Sequence, residues 1–171
     1  MIRKRQLSRI PYQVWRDQGW IEETEGNEID YRAVKSRIAE LVDKFRPSGV
    51  GYDPYAATLM TQELGRDNGL PLVIVRQGAM TLSEPLKFFR SLVNTKKLDH
   101  GGNPVARWAV GNAVCRTDEN DNIRPIKGSH SGRGSKDKID PFIAALNATV
   151  IGMDKRGTGD PSVYMAEGCV L

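Results

Sequence analysis

Cysteine and histidine are almost missing from this 171-residue chain, which has two of each. Cys115 and Cys169 stand far apart and match no metal-binding or redox spacing, so a reduced, intracellular, cytoplasmic chain is expected. His100 lies in a Gly-Gly-Asn-Pro turn context and His130 in a Gly/Ser loop. Neither has a Ser or Cys partner at a strand end, which excludes a nucleophilic triad, and no Cys/His cluster exists for zinc. No apolar run approaches the roughly 20 residues needed to cross a bilayer. The basic start Met1-Ile2-Arg3-Lys4-Arg5-Gln6 has no apolar stretch behind it and does not read as a secretory signal. Neither G-x-G-x-x-G nor G-x-x-x-x-G-K-[ST] occurs, so this stretch carries no ATPase loop.

What is present describes an ordinary globular chain with one core. Apolar residues make up 39% and charged residues 27%, and the net charge of +4 permits a polyanionic partner without demanding one. Residues 1–30 suggest short extended pieces around a turn, with Trp15 and Trp20 as packing residues. From Asp30 the pattern sharpens. Tyr31, Val34, Ile38, Leu41, Val42 and Phe45 have helical spacing, Asp30 is placed to cap the helix, and Pro47 marks its stop. A strand over 50–53 follows, then a helix over about 54–67, then Leu72-Val73-Ile74-Val75, an apolar run expected of a strand buried on both faces. Gln77-Gly78 closes that run, and a third helix is expected from about Glu84.

Helix and strand alternating in this way predict an α/β sheet with at least one parallel pair. Further along, Leu98-Asp99-His100 suggests a short edge strand and Asn103-Pro104 a helix start. Residues 114–117 and 123–126 flank a polar tip and predict a β-hairpin. Residues 128–135 read as a mobile loop, 141–151 as the last helix with Ile139 as its staple, and 152–171 as a poorly ordered tail.

Two Asp-Pro junctions carry the candidate chemistry. Asp53 ends a predicted central strand just before Pro54, and Asp140 precedes Pro141 at the last helix. Either Asp can serve as a helix cap and no more. Two carboxylates converging on one point, however, repel each other unless a cation lies between them. Mg²⁺ or Mn²⁺ would suit such oxygen donors, and a pair of these ions supports phosphodiester cleavage. Around Asp140 lie Arg124, Lys127, Arg133, Lys136 and Lys138, opposed by Asp137. This local excess is either a solvated loop or a DNA-binding surface for a phosphate backbone.

The ordered series Trp20, Gly26-Asn27-Glu28-Ile29-Asp30-Tyr31, Gly51-Tyr52-Asp53-Pro54-Tyr55, Gln77-Gly78, Leu82-Ser83, His100-Gly101-Gly102-Asn103-Pro104, Arg107-Trp108, Asn122-Ile123-Arg124-Pro125 and Lys138-Ile139-Asp140 resembles the C-terminal part of tailed-phage terminase large subunits. The likeness runs over about residues 7–150 and implies a ribonuclease H-like mixed sheet flanked by helices. It implies a partial nuclease domain over 1–150, with 151–171 as a flexible tail. It further implies metal-dependent endonuclease activity on concatemeric double-stranded viral DNA, with Asp53 and Asp140 as catalytic, metal-binding residues. Portal protein and terminase small subunit are the partners implied, in a bacterial host's cytoplasm and transiently at the procapsid portal.

The family's third Asp, on a first strand, has no counterpart here. Asp17 and Asp30 are the upstream Asp residues, and neither follows an apolar run. The chain therefore reads as a truncated domain lacking the family's first strands. The alternative is a non-catalytic prophage remnant that binds DNA or packaging partners through its basic 124–138 segment.

Overall fold

The computed structural model describes residues 10–26, 28–55, 61, 63–65, 69–128 and 138–154. Within them the order is α1 (Tyr12–Asp17), α2 (Tyr31–Phe45), β1 (Val50–Tyr52), β2 (Leu72–Ile74), α3 (Ala79–Asn94), α4 (Pro104–Gly111), β3 (Ala113–Thr117), β4 (Ile123–Lys127) and α5 (Asp140–Asp154). Thr61 and residues 63–65 are helical as well, between β1 and β2. Strands β1 and β2 are parallel, with Val50 opposite Leu72, Gly51 opposite Val73 and Tyr52 opposite Ile74. Strands β3 and β4 form an antiparallel hairpin in register from Ala113–Lys127 to Thr117–Ile123. The described strands thus make two separate two-stranded sheets, where the sequence suggested one mixed sheet.

Local signals account for the elements that match expectation. The Asp30 carboxylate accepts from the Arg32 and Ala33 N–H groups, satisfying donors that the first turn of α2 leaves open. Asn103 does the same for Val105 and Ala106 ahead of Pro104, whose ring fits the first helical position. At the hairpin tip, Asp118 accepts from the Asn120 and Asn122 backbone N–H groups and from the Asn122 side chain. Ile139 is buried and its carbonyl accepts from the Ile143 N–H, so α5 starts at Asp140 and runs to Asp154, past the expected stop at 151.

Four expectations give way to tertiary context. Residues 12–17, expected as extended, form α1, because Trp15 buries itself against Trp108 with ring centroids 5.6 Å apart. Tyr12 meets Trp108 edge-on at 6.0 Å, and that burial pushes its hydroxyl pKa above the ordinary 10.0. Helix α3 begins at Ala79, five residues before Glu84, and carries Pro85 inside it at the cost of one backbone hydrogen bond. Leu98-Asp99-His100 is not a strand but leads into a turn at Gly101-Gly102: Asp99 accepts from the Gly101 N–H, and the His100 carbonyl accepts from the Asn103 N–H. Strand β2 is not buried on both faces. Val73 is 40% and Ile74 54% exposed, because β1 is its partner among the described strands and little covers its outer side.

The core lies around α3, α4 and α5. Leu86, Phe89, Ala109, Phe142 and Leu146 form one buried cluster, with Phe89 and Phe142 in edge contact at 5.3 Å. Ser83 accepts from the Ile123 N–H through its hydroxyl, which pins the hairpin to α3.

Candidate functional site

The two candidate carboxylates belong to elements that pack directly on each other. A Cβ built on Gly51 would lie 2.8 Å from the Asn147 carbonyl oxygen, and one on Gly49 would lie 3.0 Å from Ile151 Cγ2. Moving back along β1 from Gly51 to Gly49 therefore means moving forward along α5 from Asn147 to Ile151. The helix runs antiparallel to the strand. Its start and the strand's end share one end of the structure.

Phase completes the placement. Alternate strand residues share a face, so the Asp53 position, two beyond Gly51, continues the α5-facing row if the chain stays extended. Asp140 and Asn147 are seven residues apart on α5, about 20° from the same stripe. Asp140 lies roughly 10 Å up the helix from Asn147, and Asp53 roughly 7 Å along the strand from Gly51. The Asp53 and Asp140 positions thus both lie toward the C-terminal end of β1. Gly51 makes this possible: without a Cβ, the helix backbone seats directly on the strand.

Asp53 is half-buried, and its Oδ1 accepts from the Tyr55 N–H at 3.1 Å, which fixes the carboxylate at the turn after β1. Asp140 is exposed at the first turn of α5, where the free N–H groups favour a negative charge. The donors offered are hard oxygens, suited to Mg²⁺ or Mn²⁺ and not to a soft metal. Among the described residues no group of three or more His, Cys, Asp or Glu side chains gathers at one point. Asp17 is held by Arg16 at 2.9 Å, and Asp30 caps α2.

Of the basic residues singled out in the sequence, Lys127 and Lys138 come together. The Asn112 carbonyl accepts from the Gly128 N–H, next to Lys127, and the Asn112 side chain donates to the Lys138 carbonyl. Both lysines are exposed, and Lys138 is two residues from Asp140. Arg124 lies three residues from Lys127 along β4, directly across from Arg116. These two arginines line an open cleft of about 640 Å³ with Ala79, Thr117, Asp118, Glu119 and Asn120, and neither Asp53 nor Asp140 reaches it. Arg133, Lys136, Asp137 and His130 lie outside the described residues, as do Cys169 and the tail from 155. His100 is half-buried and shapes the turn before α4. Cys115 is free and exposed.

Sequence reasoning used Gln77 only as the close of an apolar run and as part of the family likeness, and it passed over Asn147. Gln77 Nε2 donates to the Val75 carbonyl at 2.8 Å and to Asn147 Oδ1 at 3.1 Å. Each residue looks unremarkable in sequence. A polar residue just after an apolar strand reads as a turn, and one Asn within a helix reads as a surface position.

No helix among the described residues is long and apolar enough to cross a membrane. Residues 1–154 match the family model described as "Terminase large subunit, endonuclease domain". Among curated proteins, Protein YmfN of Escherichia coli (strain K12) is 29% identical over 140 residues, which is 80% of this chain and 29% of that protein. The large terminase subunit of Enterobacteria phage HK97 is 29% identical over 126 residues, 73% of this chain and 25% of that one. The crystal structure of the HK97 bacteriophage large terminase superposes with a TM-score of 0.72 at 26% identity, covering 84% of this chain and 29% of that chain. The chain thus spans less than a third of the length of these relatives.

Proposed function

This chain belongs to the terminase large subunit endonuclease-domain family, and from that membership we infer that it cleaves double-stranded viral DNA during packaging, using a divalent-metal site built on Asp53 and Asp140. The observation that supports the site is the antiparallel seating of α5 on β1 through Gly51 and Asn147. In this reading the chain is part of a ribonuclease H-like domain.

Bound Mg²⁺ or Mn²⁺ would supply an activated water and stabilise the leaving phosphate oxygen. The chain's own task is to bring two carboxylates to one spot and hold them there. Asp53 is steadied by the Tyr55 N–H, and Asp140 is fixed by the first turn of a helix anchored in the core through Phe142 and Leu146. Lys127 and Lys138 flank this end and would neutralise backbone phosphates, with Arg124, Arg133 and Lys136 extending the contact. The DNA is a viral concatemer in this reading. Portal protein and terminase small subunit would be partners of the longer protein in the host cytoplasm.

Plasmid nicking tests this. The expected result is cleavage that requires Mg²⁺ or Mn²⁺ and disappears in both Asp53→Ala and Asp140→Ala. Full cleavage by both variants would overturn the assignment. One observation favours a second reading, the non-catalytic DNA-binding remnant: no third carboxylate joins the pair among the described residues. Salt-sensitive DNA binding without cleavage under any metal would select it.

A further inference from the structure

Resting on the metal-site reading above, we propose that Gln77 is a positioning residue of that site. Its side-chain amide locks α5 to the end of β2, in the one register that sets Asp140 beside Asp53. Gln77 follows β2 at the same end of the strand pair at which Asp53 follows β1. Its Nε2 spans from the Val75 carbonyl, just past β2, to Asn147 Oδ1 on the helix. Asn147 is itself buried, and its carbonyl is the atom that Gly51 admits against β1. One helix position is therefore held twice. The Gly51 approach sets how close the helix comes to the sheet, and Gln77 sets how far it slides along it.

Sliding is the motion that matters for the carboxylates. A helix packed on a strand by apolar side chains alone can shift by a fraction of a turn at small cost, since such contacts have no direction. A hydrogen bond between two side-chain amides does have one, and it weakens steeply with misalignment. Asp140 lies two turns from Asn147 on the same stripe, so any slip at Asn147 is transmitted to it through a rigid helix.

The Gln77 amide cannot be turned over, because Val75 offers an acceptor and requires the N–H side to face it. Its Oε1 is left buried with no donor among the described residues. A buried acceptor without a donor costs stability, so a Gln placed for stability alone would be a poor choice here. It is suited to a site that is completed when a cation with its waters, or the DNA, arrives.

The test is Mn²⁺ affinity of the full chain, followed by electron paramagnetic resonance, with thermal melting measured in parallel. Gln77→Met removes the bridge and keeps the side-chain length. It should weaken Mn²⁺ binding by roughly 10–100-fold, the usual effect of losing a partner that orients a metal ligand. Asn147→Leu should weaken it similarly, and the double variant should lose little more than either single one, since both break one bridge.

Gln77→Leu offers a check against misfolding. It fills similar space without a carboxylate that could itself bind Mn²⁺, donates nothing to Val75, and should also bind Mn²⁺ less tightly while remaining folded. A lowered melting temperature with unchanged Mn²⁺ affinity in Gln77→Met and Gln77→Leu would overturn the proposal. The site reading is tested separately by Asp53→Asn and Asp140→Asn. If these leave Mn²⁺ binding intact, or if the parent chain binds none, that reading fails and takes this one with it. If they abolish binding while the Gln77 variants do not, the site stands and Gln77 has no part in it.

Discussion

The two sides of α5 treat apolar residues differently. On one side α3, α4 and the hairpin enclose Leu86, Phe89, Ala109, Phe142 and Leu146, with Ala109 and Leu146 fully inaccessible. On the other side the β1–β2 pair leaves Val73 and Ile74 substantially in solvent. Elsewhere, α2 contributes no buried residue at all. Phe45 and Leu41, on the apolar stripe of α2, are 49% and 39% exposed. The first side is a finished core. The second is an apolar surface with the patterning of an interior and the accessibility of an exterior. Asp140 belongs to α5, whose Phe142 and Leu146 are part of the finished core.

Substitutions ranked by expected effect probe that contrast. Leu146→Ala cuts into the finished core and should cost about 2–5 kcal/mol in urea unfolding. Gly51→Ala comes next: the new methyl would press on the Asn147 carbonyl, a backbone atom that cannot step aside. The expected loss is about 1–3 kcal/mol, together with loss of any metal-dependent cleavage. Ile74→Lys, on the half-open side, should change stability by no more than about 0.5 kcal/mol. A loss as large as that of Leu146→Ala would mean that the exposed face of β2 is in fact covered, and the contrast would collapse.

Arg46 closes α2 in the left-handed region at φ 45°, where glycine carries no penalty. Arg46→Gly should therefore raise stability by up to about 1 kcal/mol, read from the melting temperature.

The smallest effect expected is a local one with a pH sign. Desolvation pushes the Asp118 carboxyl up, but hydrogen bonds from the Asn122 and Asn120 N–H groups and the Asn122 side chain outweigh it and hold the pKa below 3.8. A depressed carboxyl stabilises above its unfolded value, and that contribution is lost as pH falls through the folded one. Amide exchange at Asn120 and Asn122 should accelerate below the ordinary Asp range while the α5 amides stay protected.

How much of this was legible in the sequence follows the range of the forces involved. Asp30, Asn103-Pro104 and the Asp118 tip announce themselves because a cap or a turn is settled within four residues. The same holds for β1 and for the parallel pairing, which follow from short apolar runs separated by a helical stretch. Helix α1 is not legible locally, because Trp15 answers to Trp108, 93 positions away. Helix α3 begins ahead of Glu84 because packing of Leu82, Ser83 and Leu86 outweighs the disfavour that Pro85 carries inside a helix.

Exposure of β2 is not legible either, because composition tells what a strand is suited to face, not whether that neighbour is there. At the site, Asp53 and Asp140 stand out beside their prolines. Gln77 and Asn147 do not, since a pair of amides 70 residues apart leaves no trace in either neighbourhood.

The contact at Gly51 has a consequence for precision. Where side chains separate a helix from a strand, the gap inherits their rotational looseness, and anything mounted across it wanders by as much. Here main chain rests on main chain, so the spacing is governed by bond lengths and atomic radii, quantities that do not fluctuate on the scale of rotamers. An enzyme designer wishing to hold two ligands from different parts of a polypeptide at constant separation would do well to leave out the methyl group at the point of support.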